Sequence, residues 1–212
     1  MDVGDLRTDY ARGELNDADA PEAPLPLLSA WIEEAIRAGM PEPNAMTVCT
    51  VGLDGRPDGR VVLLRDYDGR GLTFYTNYES AKGRDLSANP VAAAVLCWPA
   101  MQRQVRAIGP VERVSAAESD RYFASRPRRS RLGAIASAQS RVLPDRATLE
   151  RAMADLEAQY PEGADIPRPA NWGGYRILVD RYEFWQGRRS RLHDRIVYQQ
   201  TNGGWAKSRL YP

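Results

Sequence analysis

One histidine and two cysteines in 212 residues leave little material for metal chemistry. The usual zinc sites need several His and Cys ligands, so they are excluded and only a carboxylate-rich site stays open; no metal ligand is assigned. Cys49 and Cys97 lie in apolar, strand-like runs and read as small buried hydrophobes, not as a disulfide scaffold. Excess charge of either sign is also missing. Lys and Arg number 29 against 28 Asp and Glu, a net charge of +1, which gives no global attraction to nucleic acid or membrane. The longest apolar run, Val91 to Trp98, is too short to span a bilayer. The start, Met1-Asp2-Val3-Gly4-Asp5, lacks the basic-then-apolar pattern of a signal peptide, so the cytoplasm is the expected location. G-x-G-x-x-G, the P-loop and G-x-S-x-G are absent as well. If the protein binds phosphate, side chains must do it.

The apolar content of 43% suits a packed core. Residues 1 to 25, rich in Asp, Ala, Pro and Glu, read as a mobile N-terminal arm, and 26 to 212 as one domain. Leu27, Leu28, Trp31, Ile32, Ala35 and Ile36 recur at helical spacing. Strand signals follow at Ala45 to Val51, Arg60 to Arg65 and Leu72 to Thr76, separated by the turn dipeptides Asp54-Gly55 and Asp68-Gly69, an antiparallel meander. A helix is expected over Ser80 to Ala88, then strands at Val91 to Trp98 and Gln104 to Val114. Ser115 and Glu118 match a capping box, so a helix should run from there through Phe123. Another is expected over Thr148 to Gln159, and strands at Tyr175 to Trp185, Arg195 to Gln199 and Trp205 to Leu210. Strands joined by short turns with inserted helices indicate an α+β fold on an antiparallel barrel or sheet.

Two clusters could carry chemistry. His193, flanked by Arg191 and Arg195, would share one face with them if the segment is extended; beside Trp185 such a cationic row suits a planar anion. The alternative is a histidine that satisfies a surface turn. Arg121, Arg126, Arg128, Arg129 and Arg131 crowd eleven residues with Tyr122 and Ser130. Tyr122, Arg126 and Ser130 fall at intervals of four, which on a helix would converge on one phosphate. A solvated charged face is the plain alternative.

In order, Arg60-Val61-Val62-Leu63-Leu64, Phe74-Tyr75-Thr76-Asn77, Arg103-Gln104-Val105, Tyr122-Phe123-Ala124-Ser125-Arg126-Pro127, Gln139-Ser140, Asn171-Trp172-Gly173-Gly174, Glu183-Phe184-Trp185-Gln186-Gly187 and Arg191-Leu192-His193-Asp194-Arg195 resemble the pyridoxine/pyridoxamine 5′-phosphate oxidase family from about Arg7 to the C-terminus. The resemblance implies an FMN-binding split β-barrel and a homodimer with flavin between subunits. It also implies oxidation of pyridoxine or pyridoxamine phosphate to pyridoxal phosphate by O2, with hydride passing from substrate C4′ to flavin N5. Carried over residue by residue, it puts cofactor contacts on Arg60, Val61, Leu63, Leu64, Arg65, Tyr75, Thr76, Lys82, Gln104, Gln139, Ser140, Trp185 and Arg195. Substrate contacts fall on Arg7, Tyr10, Arg65, Tyr122, Arg126, Ser130, Arg191 and His193, with Arg191 and His193 as the catalytic pair and Arg7 and Tyr10 on a closing arm.

Three residues depart from the family pattern. Arg65 stands in place of the usual lysine, keeping charge but changing geometry. Ala81 replaces an arginine that contacts the flavin phosphate in many members, which weakens FMN binding unless Arg84 compensates. Glu42 replaces an aspartate. Rival readings are a same-fold flavin oxidase acting on another aromatic such as a phenazine precursor, a non-catalytic protein binding FMN or pyridoxal phosphate, and a nucleic-acid module using the arginine cluster.

Overall fold

The computed structural model describes Gly4 and residues 9–212, and among these described residues it holds ten strands, all paired antiparallel, and five α-helices. Arg7, assigned to the substrate lid, lies outside the described residues. Helix α1 (Pro24–Arg37) buries Leu27, Leu28, Trp31, Ile32 and Ala35, while Ile36 is exposed. Four residues overshoot a full turn by about 40°, so the row through Leu28 and Ile32 has rotated towards solvent by Ile36.

β1 (Ala45–Val51) and β2 (Pro57–Leu63) form a hairpin, and β5 (Val91–Trp98) flanks β1 on its other side. The meander stops there. β3 (Asp66–Asp68) and β4 (Gly71–Asn77) leave that side of the sheet, and β4 pairs with β7 (Trp172–Ile177), not with β2. The long strand β6 (Arg103–Arg113) is where the sheet divides: Arg103 to Ile108 pair with β8 (Arg181–Gln186), and Val111 to Arg113 pair with β7. The run expected as one strand over Tyr175 to Trp185 is therefore two. The chain crosses at Gly109, where a Cβ would lie 2.0 Å from the Leu178 carbonyl oxygen. Only a residue without a side chain allows that approach. On either side of it Leu178 N–H donates to Pro110 O at 2.7 Å and Asp180 N–H to Ile108 O at 3.0 Å. β9 (Asp194–Thr201) and β10 (Gly204–Arg209) complete the order β10-β9-β8-β6-β5-β1-β2. The architecture is an α+β antiparallel split barrel.

The interior is filled by Leu28, Trp31, Val48, Leu72, Phe74, Val105, Phe184, Ile196 and their neighbours, and Trp31 meets Phe184 edge-on. A smaller cluster of Phe123, Leu132, Ile166 and Trp172 joins α3 (Ala116–Ser125), α4 (Arg128–Ala136) and α5 (Arg146–Gln159), with Met153 and Leu156 of α5 packed against it. Ser115 caps α3 as expected, its Oγ accepting from Glu118 N–H at 3.1 Å. Because α3 carries Tyr122, Ser115→Ala is expected to lower stability by about 1 kcal/mol in urea unfolding. Helix α4 is an addition to the sequence reading: the chain bends at Pro127, so Tyr122, Arg126 and Ser130 do not share one helix.

Two further expectations change. The arm assigned to residues 1 to 25 is anchored over the part that is described: Leu15 and Ala20 are buried, Leu15 N–H donates to Asp194 Oδ2 at 3.0 Å, and Tyr198 Oη donates to Pro21 O at 2.8 Å. Cys49 is half-buried and Cys97 exposed, since both sit on the sheet face turned away from the core. Among the described residues no helix is long and apolar enough to cross a membrane, and no cluster of His, Cys, Asp and Glu could hold a metal.

Candidate active site

The geometry sorts the expected site residues into two places. The first is a cavity of about 550 Å³ lined by Val61, Leu63, Arg65, Tyr75, Thr76, Lys82, Tyr122, Arg126, Ser130 and Gln139, together with Val62, Asn77, Ser137 and Trp172. Among the described residues three cations line it and no carboxylate does. β2 and β4 supply one wall; α3, the bend at Pro127 and α4 supply the other. The bend keeps Tyr122, Arg126 and Ser130 convergent although they are not on one helical face.

Lys82, near the start of α2 (Ala81–Ala88), is only 7% exposed. Its Nζ faces neutral oxygens: Thr76 Oγ1 at 3.3 Å, Gln139 Oε1 at 3.4 Å and Ser80 Oγ at 3.5 Å. Burial pushes its pKa down, Arg60 adds to the shift, and Asp58 and Asp85 oppose it. Arg126 is held over the Trp172 ring at 4.7 Å, and its Nη1 is buried without a hydrogen-bond partner among the described residues. Burial lowers the pKa of Arg126 too, with Arg65 contributing in the same direction. A buried donor without an acceptor is costly, so a ligand anion is the natural complement of this wall. Between the cations Tyr75, Tyr122 and Trp172 stack, with Tyr75 and Tyr122 centroids 3.9 Å apart at 20°. Gly174 makes room for that stack, since a Cβ there would lie 2.8 Å from Tyr75 Cε1.

The second place gathers Tyr10, Gln104, Trp185 and His193. A cavity of about 480 Å³ is lined by Tyr10, Cys97, Pro99, Gln102, Arg103, Gln104 and Trp185, and shares no residue with the first. Cys97, Gln104, Trp185 and Arg195 form one row across β5, β6, β8 and β9. His193 lies 4.6 Å from Trp185 and 5.2 Å from Tyr10, ring to ring. The segment before it is not extended: Arg189–Arg191 is a 3-10 turn with Ser190 and Arg191 at positive φ, so Arg191, His193 and Arg195 do not form the expected row. His193 Nδ1 accepts from Arg188 N–H at 3.1 Å, which leaves the ring hydrogen of the neutral form on Nε2. Its pKa is lowered by burial first and by Arg191 next, against Asp194, so the neutral form prevails at pH 7.

Some assigned residues lie outside both cavities. Leu64 is in the core. Arg60 is engaged by Thr50 Oγ1 at 2.6 Å and by Asp58, and Arg195 by Glu183 and the Tyr211 carbonyl. Ser140 is exposed at φ 68°. Arg84 cannot stand in for the missing arginine at Ala81, because it bonds Glu79 O and lines a different cavity with Arg113 and Arg141. Glu42 is exposed in the turn before β1. The sequence reading missed Trp172, Asn77 and Ser137 as lining residues; Trp172 and Asn77 stood in quoted motifs, whereas Ser137 carried no signal.

A family profile described as pyridoxamine 5′-phosphate oxidase matches residues 32–160, and one described as the pyridoxine 5′-phosphate oxidase C-terminal dimerisation region matches 172–212. The chain belongs to the pyridoxamine 5′-phosphate oxidase family. Relatives named pyridoxine/pyridoxamine 5′-phosphate oxidase include one from Herminiimonas arsenicoxydans, 54% identical with all of both chains covered, and one from Thermosynechococcus vestitus, 53% identical with 99% of each covered. Among solved structures, PhzG from Burkholderia lata in complex with tetrahydrophenazine-1-carboxylic acid superposes with a TM-score of 0.87 at 32% identity, covering 93% of this chain and 98% of that one. A pyridoxamine 5′-phosphate oxidase-related, FMN-binding protein from Nostoc punctiforme shares the fold with a TM-score of 0.71 at 18% identity, covering 90% and 98%. Membership of this oxidase family makes the chain an oxidoreductase.

Proposed function

We propose that this protein oxidises pyridoxine 5′-phosphate or pyridoxamine 5′-phosphate to pyridoxal 5′-phosphate, with FMN as cofactor and O2 as electron acceptor, as a cytoplasmic homodimer. The observation that carries this reading is the acid-free cavity in which Arg65, Lys82 and Arg126 surround an aromatic stack. It offers separate cationic ends for two phosphates. Lys82, with Thr76 and Gln139 around its ammonium, would hold the cofactor phosphate; Arg126, Tyr122 and Ser130 would hold the substrate phosphate, with Arg65 between. When bound, FMN supplies hydride acceptance from substrate C4′ and the onward passage of electrons to O2.

The remaining residues position. Neutral His193 has its Nδ1 lone pair occupied and a hydrogen on Nε2, so it serves as a hydrogen-bond donor to the C4′ substituent and not as a base. Arg191 adds positive charge beside it. Replacing Arg191 with alanine is expected to raise KM and lower kcat by about tenfold each, and unchanged kinetics would remove it from the site.

Two separate half-sites on one chain support the dimer. A second copy would bring its Trp185, Arg191 and His193 to the cavity of the first, across a sheet face on which Val61 is 65% exposed. Mixing two impaired variants, Arg126→Ala and Arg191→Ala, in equal amounts under subunit exchange is expected to restore kcat/KM to about a quarter of the parent value, because half of the dimers are hybrids and each hybrid has one intact site. No regain would place both residues in a site made by one chain.

The defining experiment loads the protein with FMN, removes oxygen, adds pyridoxine or pyridoxamine phosphate and follows flavin absorption. Bleaching that reverses in air is the expected result. The likeness to PhzG gives a second reading, oxidation of a phenazine precursor. Under it a reduced phenazine acid would bleach the flavin and the phosphorylated pyridines would not.

A further inference from the structure

We propose that Gln102 is a positioning residue that docks the N-terminal arm and so places Tyr10 against the catalytic half-site. Its amide bonds the arm backbone at two points. Nε2 donates to Asp9 O at 3.2 Å, and Oε1 accepts from Arg12 N–H at 3.1 Å. Tyr10 lies between the two bonded residues, so its backbone is bracketed. Its ring stands edge-on to Trp185 at 5.8 Å and to His193 at 5.2 Å, and it fills the space over Gly187, where a Cβ would come within 2.5 Å of Tyr10 Cδ1.

Gln102 is itself immobilised. It is 7% exposed and ends the 3-10 turn Pro99–Met101 in a left-handed conformation, φ 57°. Its carbonyl accepts from Gly187 N–H at 2.7 Å and from Gln186 Nε2 at 3.2 Å. The glutamine that fixes the arm is thus tied directly to the strand end that carries Trp185. The other ties to this stretch involve more exposed side chains, Arg188 with Glu14 at 3.0 Å and Arg189 with Asp9 at 3.7 Å, and contribute less. Only a primary amide supplies one donor and one acceptor in this geometry. Leucine supplies neither, and an ionised glutamate keeps the acceptor for Arg12 N–H but turns a second oxygen on the Asp9 carbonyl.

The role in turnover rests on the oxidase reading above; the docking does not, so the first test uses no substrate. Full-length protein is exposed to trypsin, and loss of residues 1–12 is followed by intact mass. Gln102→Leu should speed that cleavage about tenfold, and Gln102→Glu by a smaller factor, as expected for removing two or one hydrogen bonds. Parent-like cleavage in both variants overturns the proposal. With the phosphorylated pyridine as substrate, Gln102→Leu should raise KM about fivefold with kcat changed less than about twofold, because the arm is displaced and the half-site remains. Introduced into Tyr10→Ala, the same change should add less than about twofold to KM, since Tyr10 is what Gln102 positions. Fully additive effects would show that Gln102 acts through something other than the arm. Faster cleavage without any oxidase activity would leave the docking standing and overturn the functional reading alone.

Discussion

Arg126→Ala is expected to lower kcat/KM for pyridoxine phosphate by about 10²- to 10³-fold, while changing kcat/KM for unphosphorylated pyridoxine, which has no phosphate to lose contact with, by less than about twofold. The guanidinium is half-buried, held over Trp172, and has an Nη1 with no acceptor among the described residues. A phosphate oxygen placed there gains a charge-assisted hydrogen bond in a desolvated wall. Removing one member of such a pair costs about 3–4 kcal/mol, which corresponds to the range given. Comparison of the two substrates separates phosphate recognition from a structural role, since misfolding would depress both rates equally. Arg126→Lys should recover part of the loss, because it restores charge without the planar fork. If Arg126→Ala reduces both substrates alike, the phosphate assignment fails.

The second large effect belongs to Lys82, and it has opposite signs for the two properties measured. Lys82→Met is expected to weaken FMN binding by about 100-fold or more and to stabilise the cofactor-free protein. The first follows from loss of a buried ammonium whose hydrogen-bond partners among the described residues are all neutral oxygens. The second follows from the direction of its pKa. Burial lowers it below the ordinary lysine value of 10.5, so charging Lys82 is harder in the folded than in the unfolded chain. The penalty is fully present below the lowered folded pKa and fades as pH rises from there to 10.5. Parent and variant stabilities measured in urea without cofactor should therefore differ most near neutral pH and converge in alkali. A less stable variant at pH 7 would mean that the lysine is a structural brace.

Most of the secondary structure could be read from the chain because its causes are local. The strand Ala45 to Val51, the Ser115 cap and the turn at Asp54-Gly55 rest on alternation, capping and turn chemistry within a few residues. The colinear motifs likewise named the residues that line the main cavity, Tyr75 and Thr76 on β4 and Tyr122, Arg126 and Ser130 around Pro127. What could not be read depends on contacts between distant segments. The break between β7 and β8 arises where Leu178 crosses over Gly109, and the transfer of β4 from β2 to β7 follows from that division of the sheet. The cross-strand row Gln104, Trp185 and Arg195 depends on register, which no single strand specifies.

The sequence by itself determined the chemistry available: an arginine-rich chain with one histidine, no phosphate-binding glycine loop, and the ordered residues of a flavin oxidase family. Only the tertiary structure decided how that chemistry is distributed. It gathered Arg65, Lys82 and Arg126 in one cavity with no carboxylate among its described lining residues, and put Trp185, with His193 packed beside it, at another. It also turned Arg84 away from the position that Ala81 leaves without an arginine. The physical reason is that charge and hydrogen-bonding capacity belong to each residue, whereas burial, which sets how strongly a charge acts, belongs to the packing of segments far apart in the chain.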